Sequence, residues 1–286
     1  MPIAIEIKNV SFSYITDAAG LIKALSDIDL KIEDGEFVGI MGRSGCGKTT
    51  LIQLIAGLLV PDKGEILVDG KDINLKSYNR SELRRKLGLV FQYPECQLFE
   101  TTVEKDVAFG LKHSGLAKSE INDRIKWAIE KMGFEFEKVR LQSPLALSGG
   151  EKRRIAIAGV LAVKPDILIF DEPVAGLDPL GREAFLKLVS ELNREGTTVI
   201  IVSHNADMHG EYSRRLVILE NGHIAADGET KAVFSDADTM KKLKLGVSTP
   251  RLIADMLMQR GFKLPADTIG YNQLLEALKS KLKGGD

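Results

Sequence analysis

The sequence has few cysteines, no excess of charge of either sign and no long apolar run. Its two cysteines, Cys46 and Cys96, are far apart and form no metal-binding motif, and so low a count argues for a reducing compartment. A formal net charge of −1 gives no electrostatic argument for binding nucleic acid or lipid. No apolar stretch approaches the roughly 18 residues that span a bilayer, and the N-terminus does not read as a signal peptide. The low cysteine count, the near-neutral net charge and the lack of a long apolar stretch together predict a soluble protein of the cytoplasm.

The chain of 286 residues is long enough for an α/β domain of about 200–250 residues and a smaller appendage. Alternating apolar residues before Gly35 predict antiparallel strands. From Phe37 onwards, apolar strands alternate with helices, a pattern typical of a parallel sheet covered on both faces. Residues 215–228 predict a hairpin around Asn221-Gly222.

Two segments are predicted to be mostly helical. Residues 101–136 read as a helical insertion between two strands of the sheet, and short helices follow residue 230. The short helices carry apolar stripes that include Leu252, Met256 and Leu275, which we expect to pack against one another, with self-association of the chain as the lesser alternative. We therefore predict a main domain at 1–228, with a helical subdomain at about 93–163, and a C-terminal helical subdomain at 229–286.

A glycine-rich loop lies between a predicted strand and a predicted helix. Residues 42–49 match the pattern G-x-x-x-x-G-K-[ST]. The glycines let successive backbone N–H groups point into one concavity at the positive end of a helix, which suits a polyphosphate. Lys48 would reach the β- and γ-phosphates, and Thr49 would ligate Mg²⁺. The predicted nucleotide site consists of Gly42, Arg43, Ser44, Gly45, Cys46, Gly47, Lys48, Thr49 and Thr50.

Two neighbouring carboxylates follow the apolar residues 167–170. Asp171 would hold the Mg²⁺ shell, as phosphate loops require a carboxylate at a strand end. Glu172 is placed to polarise an attacking water. Together they predict that the bound nucleotide is hydrolysed.

A second anion site is predicted at residues 147–151, which read Leu-Ser-Gly-Gly-Glu before a helix from Lys152 to about Ala162. Ser148 has the character of an N-cap, and the two glycines leave backbone N–H groups open. We interpret the basic residues 152–154 as a solvated face of this helix.

Taken in order, these motifs resemble those of ATP-binding cassette (ABC) ATPases. Four further residues carry the resemblance: Tyr14 matches the adenine-stacking aromatic, Gln92 the glutamine loop, Asp178 the loop that signals across the dimer, and His204 the switch histidine. The resemblance covers about residues 3–227. It implies a P-loop NTPase fold of the α/β class, with an antiparallel β subdomain, a mostly parallel core sheet, a helical subdomain and a small C-terminal extension.

The resemblance also implies roles. The expected catalytic residues are Lys48, Gln92, Glu172 and His204, and the expected Mg²⁺ ligands are Thr49, Gln92 and Asp171. In such proteins two subunits sandwich two ATP molecules, so one subunit completes the site of the other. The residues expected to act on the partner's ATP are Ser148, Gly149, Gly150, Glu151 and Asp178.

Residues 91–99 and 153–162 narrow the resemblance to the ATPases of energy-coupling factor importers for cobalt, nickel and vitamins. The expected function is to power such an importer by ATP-driven dimer closure, at the cytoplasmic face of the membrane. The expected partners are a second ATPase, a transmembrane coupling subunit and a substrate-binding membrane subunit, and not nucleic acid. Glu151 departs from the family's usual glutamine, and Cys46 from a small polar residue.

Two alternatives stay open. A soluble ABC ATPase of nucleic-acid repair or translation would usually carry coiled-coil insertions, zinc sites or tandem cassettes, none of which the sequence shows. A cassette that only binds ATP is disfavoured because Glu172 and His204 are both present. The sequence identifies neither the transported substrate nor whether the dimer contains two copies of this chain.

Overall fold

The structure is a computed structural model, which describes residues 2–16, 20–112, 114–265 and 267–283. The strands are β1 (Ile3–Thr16), β2 (Gly20–Glu33), β3 (Phe37–Gly42), β4 (Lys63–Val68), β5 (Lys71–Asp72), β6 (Leu87–Val90), β7 (Ile167–Asp171), β8 (Thr198–Val202), β9 (Arg215–Glu220) and β10 (His223–Glu229). The helices are α1 (Lys48–Ile55), α2 (Arg80–Lys86), α3 (Val103–Ala108), α4 (Lys118–Lys131), α5 (Phe136–Val139), α6 (Gly149–Ala162), α7 (Pro179–Arg194), α8 (Ala206–Tyr212), α9 (Thr230–Ser235), α10 (Ala237–Lys242), α11 (Thr249–Gln259) and α12 (Tyr271–Lys283).

The first strands form a four-stranded antiparallel sheet in the order β2-β1-β4-β5. Along β2, buried and exposed residues alternate from Ser26 to Glu33, so one face lies on the core and the other faces solvent. The predicted antiparallel strands are therefore confirmed.

The larger sheet has six strands in the order β10-β9-β3-β8-β7-β6. Its strands from β9 to β6 run parallel, and β10 pairs antiparallel with β9 as the predicted hairpin. Every residue of β3, β7 and β8 is buried, as expected for central parallel strands covered on both faces. Because parallel strands end at the same edge, Gly42, Asp171 and Val202 bring their following loops together.

The predicted helical insertion is confirmed by α3, α4 and α5. Their apolar residues Val103, Val107, Ile125 and Ile129 share a core with α6 and with the sheet residue Phe170. The insertion is thus packed onto the helix that follows residues 147–148. The strand expected at residues 87–92, before the insertion, is shorter in the structure: β6 ends at Val90 and not at Gln92.

Among the C-terminal helices, α9 and α10 share a core with β3 and β9, whereas α11 and α12 contact α8. Asp207 accepts hydrogen bonds from the Thr249 hydroxyl (3.0 Å) and from the Tyr271 hydroxyl (2.9 Å). The expected mutual packing of the apolar stripes is wrong at Leu252, Met256 and Leu275, which are exposed, whereas Leu274 of the same stripes is buried.

None of the helices in the described part of the chain is long and apolar enough to cross a membrane.

Candidate functional site

The loop between β3 and α1 is tightly turned, and two glycines make the turn possible. Gly47 has a φ of 106°, and a Cβ there would lie 2.7 Å from the Ala24 carbonyl oxygen. A Cβ on Gly42 would lie 2.3 Å from the Leu219 carbonyl oxygen. Since α1 begins at Lys48, the loop ends at the positive end of that helix. The predicted strand–loop–helix arrangement is confirmed.

Lys48 lies inside this loop. Its Nζ donates hydrogen bonds to the carbonyl oxygens of Gly42 (2.8 Å) and Arg43 (2.9 Å). The ammonium group is therefore held at the loop by two main-chain oxygens and also lies 3.8 Å from Cys46 Sγ. A phosphate oxygen can replace these neutral acceptors as a charge-assisted one.

A cavity of about 530 Å³ opens beside the loop. It is lined by Gly42, Arg43, Ser44, Gly45, Cys46 and His204, together with residues at the end of β9 and two leucines after α10. The thiol of Cys46 is buried, and its backbone N–H donates to the Arg43 carbonyl (3.3 Å). Cys46 therefore closes the turn of the loop with its main chain while its side chain packs in the core.

Thr49 and Asp171 meet where α1 begins and β7 ends. The Thr49 hydroxyl donates to Asp171 Oδ2 at 3.1 Å. Burial raises the pKa of Asp171, while the hydrogen bond from Thr49 and the charge of Lys48 act in the opposite direction. Two hard oxygen ligands side by side, one of them a carboxylate, suit Mg²⁺, which keeps its remaining positions for waters and phosphates.

Glu172 is held by the segment that follows β8. Its Oε2 accepts from the Ser203 hydroxyl (2.9 Å), and its Oε1 accepts from the His204 backbone N–H (3.1 Å). His204 Nδ1 lies 2.7 Å from the same Oε1. The Glu172 side chain is 12% exposed and that of His204 is 78% exposed. A carboxylate with a fixed direction thus lies beside a histidine that reaches into solvent.

Tyr14 lies next to the start of α1. Its hydroxyl is 3.2 Å from the hydroxyl of Thr50, and its ring packs edge-on against Phe12 with centroids 4.9 Å apart. These contacts fix an aromatic ring that is 37% exposed close to the loop. Such a ring offers a face on which a purine can stack.

Residues 148–151 form a capping box at the start of α6. The Glu151 N–H donates to Ser148 Oγ, and the Ser148 N–H donates to Glu151 Oε2 at 2.8 Å. The Ser148 hydroxyl also donates to Glu151 Oε2 at 2.7 Å. These bonds lower the pKa of Glu151, so the carboxylate is ionised at neutral pH. The predicted N-cap is confirmed, and the helix begins at Gly149, three residues earlier than expected.

Ser148, Gly150, Glu151 and Asp178 line a cavity of about 510 Å³, separate from the cavity beside the phosphate loop. Asp178 caps α7, since its Oδ1 accepts from the Gly181 N–H at 2.6 Å. The structure therefore gathers the predicted site residues into two groups. One group surrounds residues 42–50, and the other presents residues 148–151 and Asp178.

Gln92 lies two residues beyond β6, the strand that pairs with β7, and its side chain is exposed. This places it at the same sheet edge as Asp171. Its predicted role as a Mg²⁺ ligand stays a prediction.

Arg153 was missed by the sequence analysis. The expectation that residues 152–154 form a solvated face is wrong for Arg153, which is buried. Its guanidinium donates to the Glu172 carbonyl oxygen at 2.9 Å, and burial lowers its pKa. Arg153 therefore ties α6 to the backbone of Glu172. No local signal distinguishes it from its basic neighbours, because all three are compatible with an exposed helix face.

Comparison with known sequences gives one consistent result. A sequence profile described as ABC transporter matches residues 25–175. The energy-coupling factor transporter ATP-binding protein EcfA2 of Clostridium tetani is 43% identical over 276 residues, which cover 96% of both chains. The protein of the same name from Caldanaerobacter subterraneus subsp. tengcongensis is 42% identical and covers 99% of both chains.

Solved structures agree. CbiO1 of Clostridium perfringens, described as part of the ABC transporter complex cbiONQ, has a TM-score of 0.73 and 35% identity, over 90% of this chain and all of that one. The ATP-binding cassette MJ0796, solved as a dimer with ADP and Pi, has a TM-score of 0.70 and 31% identity, over 79% of this chain and 98% of that one.

The geometry and the comparisons lead to the same conclusion. The phosphate loop, the fixed Glu172 carboxylate and the capped α6 lie on the expected fold. The relatives match almost the full chain at about 40% identity. This chain belongs to the ABC transporter family and, within it, to the ATP-binding proteins of energy-coupling factor transporters.

Proposed function

We propose that this ATPase drives an energy-coupling factor importer for vitamins or transition-metal ions by closing onto a second ATPase subunit when ATP binds. In this proposal the chain lies at the cytoplasmic face of the membrane, bound to a transmembrane coupling subunit and, through it, to a substrate-binding membrane subunit. The relatives do not favour a soluble ATPase of nucleic-acid repair or translation. The division at residue 228 is part of the proposal, with the helices after it as a separate subdomain.

ATP would bind along residues 42–50. The backbone N–H groups of the loop and the Lys48 ammonium would hold the phosphates, and Tyr14 would stack on the adenine. Thr49 and Asp171, already in contact, would hold Mg²⁺ with Gln92. Bound Mg²⁺ would neutralise charge that develops on the phosphates.

Hydrolysis requires a base in a fixed position. Glu172 would take a proton from the attacking water, because its carboxylate is aimed by Ser203 and by the backbone of His204. His204 is largely exposed, so its ring can turn to the γ-phosphate and donate a hydrogen bond there. The fixed Glu172 carboxylate is the single observation that carries the proposal.

The second group of residues would act on the partner's nucleotide. Ser148, Gly150, Glu151 and Asp178 line a cavity of their own, away from the phosphate loop of the same chain, and Gly149 is the first residue of α6 beside them. The N-terminus of α6 presents backbone N–H groups that suit a phosphate supplied from outside, and the Ser148 hydroxyl would exchange its bond to Glu151 Oε2 for one to that phosphate. ATP would then bind the closed dimer better than the open one, as a switch requires.

The experiment is a phosphate-release assay on the purified chain, with and without its ATPase partner. We expect steady Mg²⁺-dependent ATP turnover that added DNA or RNA does not stimulate. Stimulation by nucleic acid would favour the alternative function, and an absence of turnover with every partner would favour a cassette that only binds ATP.

A groove for the membrane subunit is proposed beside residue 99. This Phe99 groove, of about 340 Å³, is lined by Leu89, Leu98, Phe99, Phe109 and Val160, among other residues. The Phe99 ring is 65% exposed and packs edge-on against Phe109 with centroids 4.8 Å apart. The N–H of Phe99 donates to the buried Asp106 carboxylate at 3.2 Å, which fixes the backbone. A preformed apolar groove of this kind suits a short helix.

Phe99→Asp should therefore uncouple the chain from its membrane complex while leaving ATP hydrolysis by the isolated chain within about twofold of the parent. The charge would lie in the groove and oppose an apolar helix. Co-purification with co-expressed membrane subunits measures the loss.

Leu75→Asp is the matched control, since Leu75 is 57% exposed and does not line the groove. Unchanged assembly of the Phe99 variant would remove this groove from the proposal. Leu98 is the less suitable position, because it packs partly against the core.

A further inference from the structure

His209 is a buried histidine of α8 with both ring nitrogens occupied. Its side chain is wholly inaccessible. Nε2 lies 3.1 Å from the Ser203 carbonyl oxygen, and Nδ1 lies 3.0 Å from the Ser213 hydroxyl. A carbonyl oxygen only accepts, so Nε2 carries the proton and donates, and Nδ1 accepts from the Ser213 hydroxyl. Burial lowers the pKa of His209 to about 4, so the ring is neutral at physiological pH.

The peptide unit that His209 holds is the one that holds Glu172. The carbonyl of Ser203 and the N–H of His204 belong to one planar peptide group. His209 donates to the carbonyl side, and the N–H side donates to Glu172 Oε1 at 3.1 Å. Ser203 adds its hydroxyl bond to Glu172 Oε2, and its own N–H donates to the Ile40 carbonyl at 3.1 Å. A rotation of this peptide plane would therefore move the bond from the His204 N–H to Glu172 Oε1.

Strand β3 leaves room for the His209 ring because residue 39 of the strand is a glycine. A Cβ at Gly39 would lie 2.3 Å from His209 Nδ1 and 2.8 Å from the Ser213 hydroxyl oxygen. Glycine inside a central strand weakens the strand, and here it marks a close approach of another group. Gly39 and His209 thus occupy one space between β3 and α8, and a larger residue at 39 would displace the ring.

We propose that His209 is a positioning residue for ATP hydrolysis: by donating to the Ser203 carbonyl it fixes the peptide plane from which Glu172 takes its direction. This inference rests on the proposed role of Glu172 as the base. His209 itself does not contact the nucleotide, since it is enclosed between β3 and α8. Its effect should therefore fall on the rate of hydrolysis and not on the binding of ATP.

The test compares His209→Gln with His209→Met in the full chain. The two side chains have similar length and volume, but only the Gln amide can donate to the Ser203 carbonyl. We expect the Met variant to lose about 10- to 100-fold in kcat, because a misplaced base is costly, with the KM for ATP changed by less than about twofold. The Gln variant should keep most of the parent kcat. Equal kcat in the Met variant and the parent would overturn the inference, as would equal losses in both variants.

Two further variants complete the design. Gly39→Ala displaces the ring without removing it, so its kcat should fall, and the loss should not add to that of His209→Met. If His209→Met does not fold, as judged by circular dichroism and thermal unfolding, the kcat of Gly39→Ala alone tests whether the position of the His209 ring matters for hydrolysis. Glu172→Gln is assayed in parallel. If it hydrolyses ATP normally, the proposed function is wrong, whereas an inactive Glu172→Gln beside a fully active His209→Met overturns only this inference.

Discussion

A Glu172→Gln variant is expected to bind ATP with nearly the parent affinity and to lose about 10²- to 10⁴-fold in hydrolysis rate. The amide keeps the shape of the carboxylate: its oxygen can still accept from the His204 N–H, and its NH2 can donate to the Ser203 hydroxyl oxygen, so the local structure should survive. It cannot take a proton from water. Because ATP would then persist, the closed dimer should accumulate, and its fraction is measured by sedimentation with and without Mg-ATP.

Glu195→Gln is the matched control for this variant, since it makes the same chemical change at an exposed position at the end of α7. It should hydrolyse ATP as the parent does. A Glu172→Gln variant that turns over ATP at the parent rate would show that another group is the base, and the carboxylate would then have a structural role only.

A Lys48→Ala variant is expected to bind ATP and ADP about 100-fold more weakly or worse, since charge-assisted bonds to phosphate contribute about 1.5–3 kcal/mol each. Its Nζ lies 2.8 and 2.9 Å from two loop carbonyls, so the positive charge is already located where phosphates would lie. Removing the ammonium also leaves those carbonyl oxygens unpaired beside a polyanion. Calorimetric titration with ADP measures the affinity without interference from hydrolysis.

Lys126→Ala controls for the loss of a lysine, because Lys126 is an exposed residue of α4. Thermal unfolding of both variants separates weaker binding from a damaged loop. An affinity of Lys48→Ala equal to that of the parent, in a folded protein, would mean that phosphates bind elsewhere.

The phosphate loop and the carboxylates could be predicted because their geometry is local. The loop needs glycine where φ is positive, a strand before it and a helix after it. Residues 37–55 contain the sequence signals for all three. Asp171 ends a fully buried strand and Glu172 follows it, so their place at the sheet edge follows from the topology of a parallel sheet.

The supporting residues could not be predicted in the same way. Whether Arg153 faces the core depends on how α6 sits on the sheet, and the polar pattern of that helix fits either orientation. His209 lies in a short helix without a motif, and its importance appears only when Gly39 from a distant strand is seen to leave room for it. The exposed apolar residues of α11 and α12 likewise depend on how few neighbours those helices have.

Uptake into sealed membrane vesicles that carry the assembled complex shows directly whether ATP hydrolysis by this chain powers import. Radiolabelled cobalt, nickel and riboflavin serve as probes, with ATP supplied on the side of the ATPase. We expect one of these probes to accumulate only with Mg-ATP, and we expect this accumulation to stop when Glu172→Gln replaces the parent chain. Uptake that proceeds equally with Glu172→Gln would contradict this expectation.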